Sequence, residues 1–437
     1  MIRKSGFAVL SAVTYSVLEA ILFGYSYFII FTLILFFVMA SDIIIFNKSA
    51  GRDLFRIQVE RRMQDPNGRK YLKKEIELFF TNPTRKIIAF HYYDTLSDVF
   101  RIDGDYDGNI SLAPGERRRV TYQIASVAIG KYQIGPVILF AQDPMKLCIT
   151  RAIVEKINEV KIGPSSADIH TQRSERLSNF LFTMGIHHSK KSGQGYDFYG
   201  IRQYVDSDDF RYVAWNRYDY LGMDDLYIKQ MEEEKQIDTY FIIDYGDGVN
   251  QGTPEGKMYD RIVSTVLNAA YTIIKNRDGV GFQIVSSEID EFIPAQKSEE
   301  PIKKLEKIVS EIKPSGEFRM DYAAELIRKR VKKNAVVFII TPYVFPEEFT
   351  IVPGKTFNTG RSTYLFVLDP YDFVKKSDDM VQNKLLQSVR MKERRYMTAV
   401  TKFFNGIGIK AVVARDKDLL VRVMAEYRYA RMLNLGS

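Results

Sequence analysis

DTYFIIDYGDG, residues 238–248, holds an apolar run, Tyr240–Ile243, that stops at Asp244 and enters the loop Tyr245-Gly246-Asp247-Gly248. A run that is apolar at every position, rather than at alternate ones, predicts a strand buried on both faces. The chain beyond this loop keeps the pattern. An amphipathic helix is expected over Lys257–Lys275, then the strand GFQIVSS and helices in KKLEKIVSEI and YAAELIRKRV. The strands AVVFIIT and TYLFVLD, a long helix across 380–404, the strand IKAVVA and a helix from Asp418 complete the series. This alternation specifies a parallel sheet covered by helices, an α/β, Rossmann-like domain over 237–437. In such sheets ligands bind beyond the carboxyl ends of the strands, where Asp244, Thr341 and Asp369 lie.

Immediately upstream, residues 166–236 divide into a polar, weakly periodic linker and a dense motif. Arg202, Tyr204, Asp206, Asp208, Asp209, Arg211, Trp215 and Arg217 fall close together, and Trp215 is the chain's one tryptophan. Closely spaced arginines and aspartates pair with each other, which reads as an internal clamp. Arginine and tryptophan also anchor interfaces, which reads as a binding surface. Gly193-Gln194-Gly195 lacks the third glycine and the Lys-Ser/Thr ending of a phosphate loop, so it is read as a turn.

Residues 51–165 alternate apolar and polar over short runs such as EIELFF, KIIAFHYY, RRVTYQI and GPVILFA, separated by turn-forming Asp65–Gly68, Thr81–Thr84 and Gly130–Pro136. That spacing predicts a small antiparallel β-sandwich. Asp103–Ile110 matches the start of a calcium loop, but Pro114 replaces the bidentate glutamate, so an acidic hairpin loop is expected. Residues 1–50 hold two apolar stretches, each about long enough to cross a bilayer as a helix, with a turn at Gly24 and Ser26. Basic residues flank both outer ends: Arg3 and Lys4 before, Lys48, Arg52, Arg56, Arg61 and Arg62 after. This predicts a transmembrane α-hairpin in the cell membrane with everything after it in the cytoplasm. Glu19, within the first stretch, is read as reaching the outer interface or as a contact inside the membrane.

Composition narrows function. The charge of +8 over 437 residues suits anionic lipid or an acidic partner and lacks the basic block of a nucleic-acid binder. One cysteine excludes an intrachain disulfide and a thiolate cluster, and four histidines leave little for a zinc site. No nucleophile–base set is legible, so the chain is not read as an enzyme and no cofactor is expected.

In this order the parts resemble the membrane-anchored von Willebrand factor A-like proteins catalogued as domain of unknown function fifty-eight. The resemblance rests on Asn82-Pro83, Asp94-Thr95-Leu96, Gly130–Pro136 and Asp143-Pro144. Its most specific portion is Gly193, Gly195, Asp197, Phe198, Arg202, Tyr204, Asp208, Arg211, Val213 and Trp215, with Ser207 where the family has glycine. The resemblance implies a metal-ion-dependent adhesion site built on Asp-x-Ser-x-Ser, a threonine from a later loop and an aspartate after the fourth strand. Here Asp244 stands first, Gly246 and Gly248 replace both serines, Ser315–Arg319 offers no threonine, and Thr341-Pro342 replaces Ser-Asp. The site is therefore expected to hold no metal. Asp244 would be a structural acceptor for amides around Gly246–Gly248, costly to exchange for asparagine, and Asp247 would be exposed. The resemblance further implies a protein-interaction scaffold or adaptor working with a MoxR-type AAA+ ATPase in assembly of other proteins. The alternative is a metal-dependent receptor or hydrolase using a cation at the Asp244 loop.

Overall fold

The computed structural model describes residues 11, 14–19, 21–22, 26–144, 148–165, 192–215, 226–232, 236–342, 362–374 and 379–433. The chain forms two compact units, Met1–Ser165 and Ser166–Ser437. The expected turn at Gly24, most of the linker with His170, His187 and His188, Arg217, and Tyr343 lie outside the described residues.

The first unit opens on helix α1, Ser26–Lys48, preceded by helical residues at 14–19 and 21–22. Among the described residues α1 belongs to the one helical segment long and apolar enough to cross a membrane. Ile30, Phe31, Leu33, Ile34, Phe36 and Phe37 leave no polar face and are all exposed, which is the surface a lipid-facing helix presents. Ser16 Oγ lies 2.9 Å from the buried Thr32 Oγ1, and Glu19 hydrogen-bonds Tyr15 one turn earlier. At its far end, Phe46 is buried with Leu54 and Ile57 in the core of the β-sheets.

Ten strands come next: β1 Gln58–Met63, β2 Asn67–Arg69, β3 Lys73–Thr81, β4 Ile88–Leu96, β5 Phe100–Gly104, β6 Asp107–Leu112, β7 Arg117–Ser126, β8 Gly130–Gln142, β9 Ile149–Val154 and β10 Asn158–Gly163. They form one sheet in the order β1-β3-β7-β5 and another in the order β2-β10-β8-β4-β6, with β9 on β8. All pairs are antiparallel except β10 with β2. Alternate residues such as Ile76, Leu78 and Phe80 from one sheet meet Phe90, Tyr92, Ile134 and Leu139 from the other in a single core. Two local expectations are corrected. The acidic segment is not a hairpin loop, because β5 and β6 belong to different sheets and Asp105-Tyr106 links them. Gly130–Pro136 is not a turn but the first half of β8. Gly135 bends that strand at φ +102°, where a Cβ would meet the Lys156 carbonyl at 2.1 Å, so only glycine fits.

The family-like residues of this unit turn out to be internal fasteners. Asn82, fully buried, donates to the carbonyls of Lys86, Leu112 and Ala113 at 2.8–3.1 Å and accepts from Thr84. Asp94 is fully buried against Arg61. The arginine Nε donates to Asp94 Oδ2 at 3.0 Å and a second nitrogen to Oδ1. Its remaining donors reach Ile134 O at 3.0 Å, Lys156 O at 2.6 Å and Asn158 Oδ1 at 2.9 Å, while the Tyr122 hydroxyl donates to Asp94 Oδ2 at 2.6 Å.

In the second unit, β11 Ser192–Gln203 pairs antiparallel with β12 Tyr227–Glu232, and a 3-10 turn at Phe210–Tyr212 stands between them. Gly193-Gln194-Gly195 is thus not a free turn; it lies in β11, at the register shift between Gly193 and Phe198, where glycine permits a bulge. The main sheet uses β13 Asp238–Asp244, β16 Gly279–Val285, β17 Asp290–Gln296, β18 Val336–Thr341, β19 Ser362–Leu368 and β20 Lys410–Ala414; β14 Gly252–Thr253 and β15 Gly256–Lys257 make a small separate ladder. Its order is β17-β16-β13-β18-β19-β20, parallel except for the edge strand β17. Sequence reading passed over β17 because DEFIPAQ is charged and contains Pro294, which an edge tolerates.

Helices α2 Met258–Lys275, α3 Glu300–Glu311, α4 Met320–Arg330, α5 Met380–Gly406 and α6 Leu419–Met432 cover the sheet. On one face Ile242, Val337, Ile339 and Leu365 pack against Ala323 and Ile327 of α4 and Val400 and Phe404 of α5. From the opposite face Phe282, Phe241, Phe338 and Phe366 form a row across four adjacent strands, with neighbouring ring centroids 5.5–6.1 Å apart.

Candidate functional site

The sheet reverses its winding between β13 and β18, and a doubly wound sheet opens its binding crevice at that switch point. Asp244 ends β13 and Thr341 ends β18, so tertiary pairing brings together two residues 97 positions apart. Thr341 Oγ1 donates to Asp244 Oδ2 at 2.7 Å, and the Gly246 amide donates to Oδ1 at 2.9 Å. Asp244 is buried, with no cationic side chain among its described partners. Burial pushes its carboxyl up to about 6, against the two hydrogen bonds that pull it down.

The loop is closed by the Ser315–Phe318 segment. Asp247 N donates to Gly316 O at 2.8 Å, and Ser315 N donates to Tyr245 O at 2.9 Å. A Cβ on Gly246 would stand 2.9 Å from Phe318 N and 3.0 Å from Gly316 O, so the position where the resemblance puts a serine is already filled by backbone. Beneath it, the Tyr245 hydroxyl lies 2.6 Å from that of Tyr259 and donates to Ile312 O at 2.8 Å. Asp247 itself faces solvent, and Gly248 is half-buried.

This donor set does not fit an adhesion-type metal. Such a cation needs an open aspartate and two hydroxyls from its own loop. Here both Asp244 oxygens are engaged, and the loop hydroxyls are replaced by glycines. Asp369, at the end of β19, is likewise occupied: Arg390 reaches it at 3.1 Å, and Arg394 lies 3.6 Å away.

The Arg/Asp/Trp segment is built differently. Arg202 grips Asp208 through two nitrogens at 2.6 and 2.5 Å, and Val205 N donates to the same carboxylate at 3.0 Å. These bonds hold the Asp208 carboxyl below the usual carboxylate range. Arg211 pairs with Asp209, which also caps the 3-10 turn through Arg211 N at 3.1 Å. The two pairs fold the segment back on itself. Among the described residues Trp215 joins neither ion pair; it is 54% exposed, and Phe210 beside it is 53% exposed. Half-buried Tyr204 lies edge-on to Phe210 at 5.8 Å, and Phe210 contacts Trp215 at 5.5 Å. Phe210 and Tyr212 were missed in the sequence because they count as apolar, and their exposure follows only from the short turn that presents them. Gly193, Gly195 and Phe198 lie in β11, behind that turn in the chain.

A family model described as "Protein of unknown function DUF58" matches residues 200–352, a span that includes both the aromatic turn and the Asp244 crevice. No curated protein matches. Among solved structures, the chain is similar to the conserved hypothetical protein BatB from Bacteroides thetaiotaomicron at 11% identity and a TM-score of 0.30, covering 45% of this chain and 98% of that one. It is similar to an aerotolerance-related membrane protein from Bacteroides fragilis at 12% identity and a TM-score of 0.29, covering 44% and 99%. A FixG-related protein from Vibrio parahaemolyticus matches at 10% identity and a TM-score of 0.18, covering 24% and 94%.

Proposed function

We propose that this chain, with its DUF58 segment at 200–352, is a membrane-tethered, cytoplasm-facing adaptor that binds other proteins without metal and without catalysis. The observation that carries this reading is the closed crevice. The position at which a doubly wound, von Willebrand factor A-like sheet would hold a cation is plugged by its own backbone, while Phe210 and Trp215 stand exposed one motif away. Exposed aromatics in the same segment as arginines have the makeup of an interface hot spot.

The tether is a two-helix hairpin. The hydrogen bond shared by Ser16 and Thr32, each eight positions from Gly24 in the sequence, supports that reading. Basic residues outside both ends favour the cytoplasm for the two soluble units. A cysteine introduced on the surface of the β unit of a Cys148→Ser chain should resist a membrane-impermeant maleimide in intact cells and react after rupture; reaction in intact cells reverses the orientation. A MoxR-type AAA+ ATPase is the partner that the resemblance implies, with assembly of other proteins as the joint task.

The binding test is capture from solubilised membranes with and without EDTA. Phe210→Ala/Trp215→Ala should lower recovery of the AAA+ ATPase at least tenfold, as hot-spot truncations of about 2 kcal/mol do. Its melting temperature should stay close to wild type, since exposed substitutions cost only about 0.5 kcal/mol. Capture that needs Mg²⁺ would favour the metal-dependent receptor instead.

A further inference from the structure

Helix α5 is longer than the surface it covers. Of its 27 residues only Met397, Val400 and Phe404 are buried, and no side chain across 380–396 is. Yet the uncovered part keeps an apolar stripe: Val381, Leu385 and Val389 recur every four residues, with Leu386 alongside, in line with the buried Val400 and Phe404. Val381 is 65% exposed and Leu385 60%. The rest of the helix is basic, with Lys384, Arg390, Lys392, Arg394, Arg395 and Lys402 against the single acid Glu393. Arg390 pins the middle of the helix to Asp369 and Asp372, so the overhanging part is held at a fixed root.

What covers this stripe must be apolar at its centre and anionic around it. A second copy would bring two equally basic helices together, and like charges oppose that contact. A convex single-helix face with long basic side chains needs no matching groove if it enters a headgroup layer, where the acyl boundary takes the aliphatic residues and phosphates take the cations. We propose that the amino-terminal half of α5 lies on an anionic lipid surface, with Val381, Leu385, Leu386 and Val389 in the acyl boundary and Lys384, Lys392 and Arg395 among the phosphates. This goes beyond the adaptor reading and rests only on its membrane anchor, which supplies the lipid at high effective concentration.

The test uses the full chain carrying Cys148→Ser and Leu385→Cys, labelled with an environment-sensitive nitrobenzoxadiazole and reconstituted into phosphatidylcholine vesicles with or without phosphatidylglycerol. In anionic vesicles the emission should shift to the blue and be quenched by brominated acyl chains; in neutral vesicles the label should stay wet. Lys384→Glu, Lys392→Glu and Arg395→Glu together should abolish the shift, since each basic residue at an anionic surface is worth about fivefold in partition. A label that iodide quenches equally in both vesicles overturns the proposal. So does a blue shift that arises in detergent alone and grows with protein concentration, which would make a second copy the occupant. Flotation of the same samples reports the anchor: a chain that floats with a wet label refutes only the α5 contact, and one that floats with neither vesicle refutes both readings.

Discussion

Arg61→Ala is expected to destabilise the β unit by about 3–5 kcal/mol, the usual consequence of removing one partner of a buried ion pair. Both side chains are essentially inaccessible to water. Without the guanidinium, Asp94 is left with the Tyr122 hydroxyl, and the carbonyls of Ile134 and Lys156 each lose a donor. An unfolding midpoint measured by circular dichroism should fall by on the order of 10 °C. Exchanging both partners for apolar residues, as in Arg61→Met/Asp94→Leu, should restore the protein only in part, because those carbonyls and the Tyr122 hydroxyl remain unsatisfied. Burial already raises the Asp94 carboxyl above its ordinary range despite Arg61. The deficit of Arg61→Ala should therefore shrink in acid, where Asp94 sheds its charge. A deficit that grows as the pH falls, or a midpoint indistinguishable from wild type, would show that the pair does not hold the two sheets together.

The second large effect belongs to Asp244 and has a sign opposite to the sequence-based expectation. Its folded-state value of about 6 exceeds that of an unfolded aspartate, so the folded state holds the proton more tightly. The resulting stability is fully present below about pH 4 and is lost as pH rises through about 6. It amounts to roughly 3 kcal/mol for a shift of about two units. Asp244→Asn removes the titration: its amide oxygen can accept from Gly246 N, and its amino group can donate to Thr341 Oγ1. Instead of costing stability at about pH 7.5, the exchange should leave the protein as stable as wild type or more so, and the two should reverse order near about pH 4. Thermal melts of both proteins in EDTA across roughly pH 4 to 8 test this. The difference between them cancels other buried acids such as Asp278. Magnesium at millimolar concentration should move neither melting curve. A rise in wild-type midpoint with Mg²⁺ that Asp244→Asn abolishes would reopen the crevice to a cation and sink the metal-free reading.

The resemblance pointed to Asn82, Asp94 and Asp143 without giving them work. In the structure Asn82 donates to backbone carbonyls, Asp94 accepts from Arg61 across the two sheets, and Asp143 accepts from Cys148 N at 2.7 Å. They are fasteners, not contacts for a partner.

Local chemistry was legible in the chain itself. The fully apolar strands, the helical stripe of α2 and the apolar length of α1 are periodic patterns, and periodicity records which sides of an element meet water. The Arg202–Asp208 and Arg211–Asp209 pairs could be read for the same reason, since partners six and two residues apart are held together by the local backbone. Burial and distant partners could not be read. Whether Asp244 faced a cation or a plug depended on the Ser315–Phe318 backbone and on Thr341, 97 residues away, meeting it at one end of the sheet. Whether Trp215 belonged to a clamp or to a surface was left open by the sequence, and only its 54% exposure decides it, while Arg61 gives no sign in its own neighbourhood of Asp94, 33 residues on. Such pairings are fixed by strand register and by which surfaces close over which. Those are properties of the packed whole, and no window of sequence contains them.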